Sequence, residues 1–327
     1  LFRDGRGHAR TDVMVDSLLW STLAEHPVTL LTIALFLEWL LPLPISFRPS
    51  ALVPLFEQLG KKVNAKGNPE SQQWLAGILT PIVILVPLVM ALWSLRNIAF
   101  YEPLFDLLLL LWLLESNPLK GQSIILSRLL QANKLEMARL QLARWVRRDT
   151  HTLSAMGTAK AATEMIALRL LGQWFGVAFW FIAAGIYGAL FFRFIQILAQ
   201  SFNTKRPVNR IFGELTNQLF KLALLPPVCL LCLLLGCFPG GGRGIYCLFR
   251  QARSWPSLAN GSYLATLAGS LELLLGGPRL YDGQMVRLPK LGWGNEPDTH
   301  SLKRVRNRLL WLGFWLWALT MAFSGIL

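Results

Sequence analysis

Six apolar runs alternate with polar, basic segments along this chain of 327 residues. The runs cover residues 28–45, 75–95, 104–114, 174–198, 219–238 and 309–327. Crossing the hydrocarbon core of a bilayer takes about 20 helical residues, and all of the runs except 104–114 meet or approach that length. Pro81 and Pro87 predict a bend in the second run, and Pro226 and Pro227 predict one in the fifth. The pattern therefore predicts five or six transmembrane helices, with 104–114 crossing the bilayer, re-entering it or lying inside the bundle.

The polar segment 134–164 separates two of these runs and has a helical pattern of its own. Leu135, Ala138 and Leu142 recur at the spacing of one helical face, whereas the arginines between them fall on other faces. Such a helix could also simply rest on an anionic leaflet through its arginines. The predicted fold class is an all-α, polytopic membrane helix bundle with amphipathic helices in its cytoplasmic loops.

The composition indicates a membrane protein rather than a soluble or nucleic-acid-binding one. The chain is 54% hydrophobic and 15% charged, whereas about a quarter of the residues in soluble domains are charged. A formal net charge of +14 could suit nucleic acid, but the apolar runs make the lipid bilayer the expected partner and exclude nucleic acid. Cys229 and Cys232 form a CxxC pair inside an apolar run, where a thiolate is disfavoured. We interpret them as small helix residues.

The distribution of lysine and arginine predicts which loops face the cytoplasm. Basic residues concentrate in three loops, which cover residues 46–74, 115–173 and 239–308. Six crossings place all three on one side, which we predict to be cytoplasmic. The connection 200–218 is also basic, yet the same arrangement places it on the opposite side. Residues 1–13 contain no initiator Met and are interpreted as an upstream or non-native extension, so a single integral membrane domain is predicted over residues 14–327.

The first candidate for chemistry is the sequence RRDT at residues 147–150, with Glu164 further along. Arginine holds phosphate oxygens through paired hydrogen bonds, and Asp149 offers the hard oxygen ligand that Mg²⁺ takes. Together these residue types indicate a phosphate and a metal held at one place. The alternative is that Asp149 and Thr150 cap a helix that begins at about Leu153.

The second candidate comprises the sequences NGS at residues 260–262 and LLGGPRLYDG at residues 274–283. Gly276 and Gly277 precede Pro278 and allow a tight turn with exposed backbone N–H groups, which can bind an anion. The alternative is an ordinary loop. The chain has no GxxxxGK[ST] sequence, so this segment is not a P-loop.

Three quoted segments carry a resemblance to a known family. They are LEMARLQLARWVRRDTHTL, KAATEMIALRLLGQWFGVAFWFIAAGIYGALFFRFI and NGSYLATLAGSLELLLGGPRLYDGQMV. In order and content they resemble the CobD/CbiB family, the membrane-bound adenosylcobinamide-phosphate synthases of cobalamin biosynthesis. The likeness covers the chain from about Leu30 onward.

The resemblance implies an amide-forming ligase of the bacterial cytoplasmic (inner) membrane. In an ATP-dependent step with Mg²⁺, it would join adenosylcobyric acid to aminopropanol phosphate, with other cobamide-assembly enzymes as expected partners. Asp149 and Glu164 are carried over as catalytic residues, with Asp149 as the Mg²⁺ ligand. The residues carried over for substrate and phosphate binding are Arg147, Arg148, Thr150, Asn260, Gly261, Gly276, Gly277, Pro278, Arg279, Tyr281 and Gly283.

Two other functions stay open at the level of sequence. The family's Glu-Asn and Asp-Gly element is replaced here by Leu168, Arg169, Gly172 and Gln173, which would suit a non-catalytic, AmpE-like membrane sensor or regulator on the same scaffold. A transporter would need ionisable residues within the membrane. The candidates for that role are Glu38, Asp106, Arg193 and Lys221.

Overall fold

A computed structural model describes residues 26–41, 43–65, 67–204, 206–281 and 283–323. The predicted extension 1–13 lies outside the described residues, as does the end of the last apolar run. In the first half of the chain the helices are α1 Pro27–Leu40, α2 Val53–Val63, α3 Glu70–Ile98, α4 Glu102–Leu113, α5 Asn117–Gln131 and α6 Leu135–Ala143. In the second half they are α7 Ala155–Leu170, α8 Gly176–Ser201, α9 Glu214–Cys237, α10 Gly241–Gln251, α11 Leu258–Ser270 and α12 Thr299–Phe323. A π-helical turn, Leu171–Phe175, joins α7 to α8.

The predicted class, an all-α membrane helix protein, is confirmed. By length and composition, three stretches of the described chain could cross a membrane: Glu70–Ile98, Ala155–Ser201 and Glu214–Cys237. The short run 104–114 forms α4, whose 12 residues reach only about 18 Å along the helix axis. A bilayer core is about 30 Å thick, so α4 alone is too short to cross it. The number of crossings stays a prediction.

The sequence suggested that the apolar run 174–198 is one straight span. The structure shows instead that the run is broken. Within α8 the backbone leaves helical geometry at Ala184 (φ −141°) and Gly185 (φ +64°, ψ −162°). Gly172 lies directly against the Gln196 side chain, and Gly176 lies against the Phe192 ring. Both contacts join residues that lie at equal distances along the chain on either side of Ala184. We conclude that α7 and the start of α8 form one arm of an antiparallel helical hairpin, and the rest of α8 forms the other.

The polar segments between the apolar runs contain helices, as predicted. These are α2 in segment 46–74, α5, α6 and α7 in segment 115–173, and α10 and α11 in segment 239–308. In α6 the residues Ala138 and Leu142 are fully buried, in agreement with the predicted apolar face. Helix α6 ends at Ala143, however, and residues 144–154 form a loop. The last part of the polar segment 134–164 belongs to α7, which begins at Ala155.

Two small antiparallel hairpins were not expected from the helical pattern. Strand β1 (Leu274–Gly276) pairs with β4 (Lys290–Gly292), and β2 (Arg279–Tyr281) pairs with β3 (Gln284–Val286). The positive φ angles of Gly276 (+78°) and Gly277 (+91°) turn the chain between β1 and β2. The LLGGPRLYDG sequence is therefore a folded β element, which packs against α7 and α11 as described below.

Three of the four ionisable residues considered for transport, Glu38, Asp106 and Arg193, have charged partners inside the protein, whereas Lys221 is partly exposed. Arg48 Nη1 lies 3.4 Å from Glu38 Oε1, and Arg96 Nε lies 2.9 Å from Asp106 Oδ1. Arg193, which has no exposed surface, pairs with the buried Glu115. These pairs tie α1, α3 and α8 to neighbouring segments, because a charge buried alone would carry a large desolvation cost. Their geometry explains the buried charges without a transport pathway.

Candidate functional site

A cavity of about 300 Å³ brings together residues that are far apart in the sequence. Its walls come from the loop after α6, from one face of α7, from the connection after α8, and from β2. The lining residues are Trp145, Val146, Arg147, Arg148, Ala161, Glu164, Met165, Leu168, Arg169, Asn203, Arg206, Arg279 and Tyr281. Both predicted motifs thus reach the same cavity, the first through Arg147, Arg148 and Glu164 and the second through Arg279 and Tyr281.

Glu164 is the central carboxylate of this cavity and is almost completely buried. Arg148 Nη2 donates to its Oε2 at 2.9 Å, and Arg279 Nη2 lies 3.0 Å from the same oxygen. The other oxygen, Oε1, accepts the backbone N–H of Gly276 at 2.7 Å. Glu164 therefore joins the two motifs directly. It also satisfies a backbone donor at the turn between β1 and β2.

Asp149, predicted as a catalytic residue, is not among the lining residues; it follows the lining residue Arg148 and holds the β2–β3 hairpin. Its backbone N–H donates to the Leu280 carbonyl at 2.9 Å, and its Oδ2 accepts the Gly283 N–H at 3.0 Å. The alternative that Asp149 and Thr150 cap the next helix is wrong. Helix α7 begins at Ala155, and Ser154 is its N-cap, because its side chain accepts the Gly157 N–H. Thr150 is buried and is not among the lining residues.

The other glycines and polar residues of the second motif support the cavity from outside. Gly277 donates its N–H to the Pro289 carbonyl at 3.2 Å, and Pro278 is exposed between the two strands. Asn260 and Gly261 lie in the first turn of α11, away from the cavity. Gly261 packs so closely against Trp255 that a side chain would not fit. The Trp255 ring in turn lies 5.1 Å from the Arg279 guanidinium, so this contact orients Arg279.

Four polar or aromatic lining residues were not predicted from the sequence: Trp145, Arg169, Asn203 and Arg206. Arg169 lies one helical turn after the lining residue Met165, which was not a predicted site residue, so helical spacing from Glu164 did not identify it. Its Nη2 donates to the Trp145 carbonyl at 3.0 Å, and its guanidinium stacks 5.0 Å from the Trp145 ring. Asn203 and Arg206 follow the second arm of the hairpin. Only the chain reversal at Gly185 brings them here.

The electrostatic character of the cavity is strongly cationic. Five guanidinium groups line it, whereas Glu164 is the one acidic lining residue in the part of the chain that the structure describes. Burial lowers the pKa of Arg148 below its usual value, an effect opposed by the Glu164 charge and reinforced by Arg279. Burial also lowers the pKa of Arg147, and Glu57 opposes that shift. Arginine stays protonated in proteins, so these groups remain cations that an anion would stabilise.

A second ionic cluster fixes the region beside the turn between β1 and β2. Lys160 Nζ lies 2.8 Å from Glu296 Oε2, and Lys290 Nζ lies 3.2 Å from Glu296 Oε1. Burial acts to raise the pKa of Glu296, but its hydrogen bonds to the two lysines outweigh burial and lower that pKa. Because Lys160 belongs to α7 and Lys290 to β4, Glu296 holds the β1–β4 hairpin against α7. The turn that donates to Glu164 is therefore fixed on two sides.

The donors around the cavity do not form a site for a metal ion such as the Mg²⁺ that the resemblance implies. Across the described ranges, no group of three or more His, Cys, Asp or Glu side chains is placed to hold a metal. Mg²⁺ needs several oxygen ligands in near-octahedral geometry. Glu164 already has partners at both oxygens, and Asp149 binds the hairpin backbone through Oδ2. The arrangement suits an anion, because the guanidinium groups outnumber the carboxylates.

Fold and cavity together define a helical membrane protein with an arginine-lined cavity between a helical hairpin and a small β-hairpin. The chain belongs to the CobD/Cbib protein family, whose family model matches residues 31–309. This match contains every residue that lines the cavity. No solved structure matches the chain.

Similar curated proteins are named Cobalamin biosynthesis protein CobD. The protein of Chromobacterium violaceum is 28% identical over 301 residues, which is 91% of this chain and 96% of the relative. That of Stutzerimonas stutzeri is 28% identical over 249 residues, which is 76% of this chain and 82% of the relative. A protein of Leptospira interrogans is 31% identical over 169 residues, about half of each chain. The first two relatives align over most of their length.

Proposed function

We propose that this protein acts in cobalamin biosynthesis as an amide-forming ligase of the adenosylcobinamide-phosphate synthase type. The observation that carries the proposal is the convergence of the two motif segments on one cationic cavity, in a chain of the CobD/Cbib family. Arg148 and Arg279 reach Glu164 from segments about 130 residues apart in the sequence. Such convergence supports a binding site for a phosphate-bearing substrate.

The proposed reaction joins adenosylcobyric acid to aminopropanol phosphate at the expense of ATP. A carboxylate oxygen of the corrinoid takes a phosphoryl group from ATP, and ADP leaves. The amine nitrogen of aminopropanol phosphate then attacks the acyl carbon. Phosphate leaves with that oxygen, and the nitrogen loses a proton. ATP and aminopropanol phosphate both carry phosphate, whereas the corrinoid does not. The residues proposed to bind these phosphate groups are Arg147, Arg148, Arg279 and Tyr281.

Glu164 and Asp149 have different tasks in this proposal. Glu164 holds the Arg148 and Arg279 guanidinium groups next to each other in the cavity lining, where they are proposed to bind one phosphate group. Asp149 keeps the β2–β3 hairpin beside the cavity through Leu280 and Gly283. ATP and Mg²⁺ are part of the proposal because the family resemblance implies them.

The proposed location is the bacterial inner membrane, with the cavity open to the cytoplasm. ATP is available on that side, and the basic loops 46–74, 115–173 and 239–308 are expected there. The partners are the lipid bilayer, the corrinoid, aminopropanol phosphate and neighbouring cobamide-assembly enzymes. The relatives described above carry names from cobalamin biosynthesis, which supports a biosynthetic role over an AmpE-like regulator.

Complementation tests this function. The gene is expressed in a bacterium that lacks its own synthase and receives cobyric acid as its only corrinoid, with cobinamide as the positive control. We expect growth from the unaltered gene and none from Asp149→Ala or Glu164→Ala. Arg253→Ala is the matched control, because Arg253 is exposed and lies outside the cavity. Absence of growth from the unaltered, inserted and abundant protein would transfer the assignment to the non-catalytic regulator.

A further inference from the structure

The arginines of the cavity carry more positive charge than the carboxylates around them neutralise. Arg148 and Arg279 share the single carboxylate of Glu164. Arg147 and Arg206 share Glu57, at 3.4 Å and 4.0 Å. Arg169 makes no ion pair with any described residue. Five guanidinium groups thus face two carboxylates, and their mutual repulsion would fall when a multiply charged anion binds.

Two of these arginines have hydrogen-bond donors that are held in place without being fully used. The Arg279 side chain is nine-tenths buried, and neither its Nε nor its Nη2 makes a hydrogen bond with a described residue, although Nη2 lies at ion-pair distance from Glu164 Oε2. Trp255 stacks on this guanidinium and restricts it. Arg169 is restricted in the same way by Trp145, through a stacking contact and one hydrogen bond to the carbonyl. A guanidinium carries five N–H donors, so each group keeps donors for a ligand.

The carboxylates near the cavity are occupied by these cations and by backbone N–H groups. Both oxygens of Glu164 have partners, and Glu57 lies between Arg147 and Arg206. A divalent cation placed there would have to displace guanidinium groups and would be repelled by those that remain. The donor set therefore does not suit a metal ion held by this chain's own side chains.

We infer that the cavity binds a phosphate group of at least two negative charges through its guanidinium groups, with Arg169 supplying a charge that no carboxylate of the described residues pairs with. The phosphate belongs either to a nucleotide or to a phosphate monoester. Mg²⁺ enters with the phosphate and is not held by carboxylates of the protein. This inference rests on the proposed function only in taking phosphate as the ligand, and it adds how the charge of that phosphate is balanced.

Binding to the full-length protein in detergent micelles or nanodiscs tests the inference, with isothermal titration calorimetry as the readout. Pyrophosphate, ATP and aminopropanol phosphate are titrated separately, in excess EDTA and in excess Mg²⁺. We expect at least one of these ligands to bind in EDTA with an affinity comparable to that in Mg²⁺. Binding of pyrophosphate and ATP alone identifies a nucleotide as the source, and binding of aminopropanol phosphate alone identifies the monoester.

Substitution of Arg169 is the second part of the binding experiment. Arg169→Gln should weaken phosphate binding about tenfold or more, since a charge-assisted hydrogen bond is lost, whereas Arg169→Lys should recover part of the affinity. Arg253→Gln is the control for a lost exposed arginine. A melting curve shows whether each variant is folded. If Arg169→Gln does not fold, Arg169→Lys and the EDTA arm decide.

Two outcomes overturn the inference. In the first, phosphate binding disappears in EDTA and is also lost in the Asp149→Asn variant. In the second, the Arg169→Gln variant is folded and binds phosphate as tightly as the unaltered protein. The result is separable from the proposed function. A protein that binds phosphate in EDTA but fails in complementation contradicts the ligase and not the anion site. A protein that complements, but binds phosphate only with Mg²⁺ and Asp149 both present, contradicts the anion site alone.

Discussion

At the scale of single residues, Glu164 has the largest number of tasks in the cavity. It neutralises two arginines from separate segments and accepts the backbone N–H of Gly276. A neutral side chain in its place would leave Arg148 and Arg279 side by side in a buried environment. Removal of one member of a buried charge network commonly costs more than the network contributes, because the remaining charges stay desolvated.

We therefore predict that Glu164→Gln destabilises the protein by about 3 kcal/mol or more. Thermal unfolding in detergent, compared with the unaltered protein, measures the change. Glu57→Gln is the matched control. Glu57 also serves two arginines, but the Arg147 and Arg206 side chains are 40% and 50% exposed, and such pairs contribute about 1 kcal/mol or less. Equal effects of the two substitutions would show that Glu164 is not a buried counter-ion.

The sequence predicted some of the residues that line the cavity and missed others. Arg148, Glu164, Arg279 and Tyr281 were predicted from residue types that bind phosphate, and all four line the cavity. Thr150, Asn260 and Gly261 were predicted with them but lie elsewhere, because a motif records proximity along the chain and not which side chains converge. Arg206 could not be predicted, because its place depends on a reversal about 20 residues earlier in the chain.

At the scale of elements, the hairpin formed by α7 and α8 is the feature that hydropathy could not predict. A continuous apolar run has the same composition whether it crosses a bilayer once or folds back on itself. Glycine is the residue type that adopts the φ and ψ angles found at Gly185, yet a glycine inside an apolar run is common. The close contacts of Gly172 with Gln196 and of Gly176 with Phe192 are tertiary. They become visible only in the folded structure.

We predict that Gly185→Ala destabilises the hairpin by about 1–3 kcal/mol, because a Cβ atom strains the backbone at this φ and ψ. The effect is conformational and not steric, since no atom lies within 4 Å of a Cβ placed on Gly185. Gly121→Ala in α5 is the control: Gly121 has equally open surroundings but lies in a regular helix, where alanine is favoured by up to about 1 kcal/mol. Thermal melting of both variants should therefore show opposite shifts.

At the scale of the whole molecule, the hairpin changes how the basic segments are arranged. The sequence alone placed the connection 200–218 opposite the loops 46–74, 115–173 and 239–308. In the structure, segments 115–173, 200–218 and 239–308 supply residues to one cavity. Segment 46–74 joins the same end, since Asn64 Nδ2 donates to the Val208 carbonyl at 2.7 Å and Glu57 pairs with Arg147. Residues of four basic segments thus lie in or beside one cavity, and the reversal at Gly185 brings segment 200–218 back to the end of the hairpin where segment 115–173 lies.

This arrangement makes a prediction about which positions are accessible from each side of the membrane. Single cysteines are introduced into a variant that lacks the four native cysteines, at the exposed positions Lys61, Arg144, Val208 and Arg287. We expect a membrane-impermeant maleimide to leave all four unlabelled in intact spheroplasts and to label them after permeabilisation, because four basic segments at one end should be cytoplasmic.

Phe100→Cys is the matched control for the opposite side. Phe100 is fully exposed and follows α3, whose 29 residues extend about 43 Å from the end where Gly77 packs against Phe212. It should be labelled in intact spheroplasts. The decisive position is Val208. Labelling of Val208→Cys before permeabilisation, with Lys61→Cys protected, would mean that the chain crosses the bilayer between residues 174 and 198, and the cavity could not then form as described.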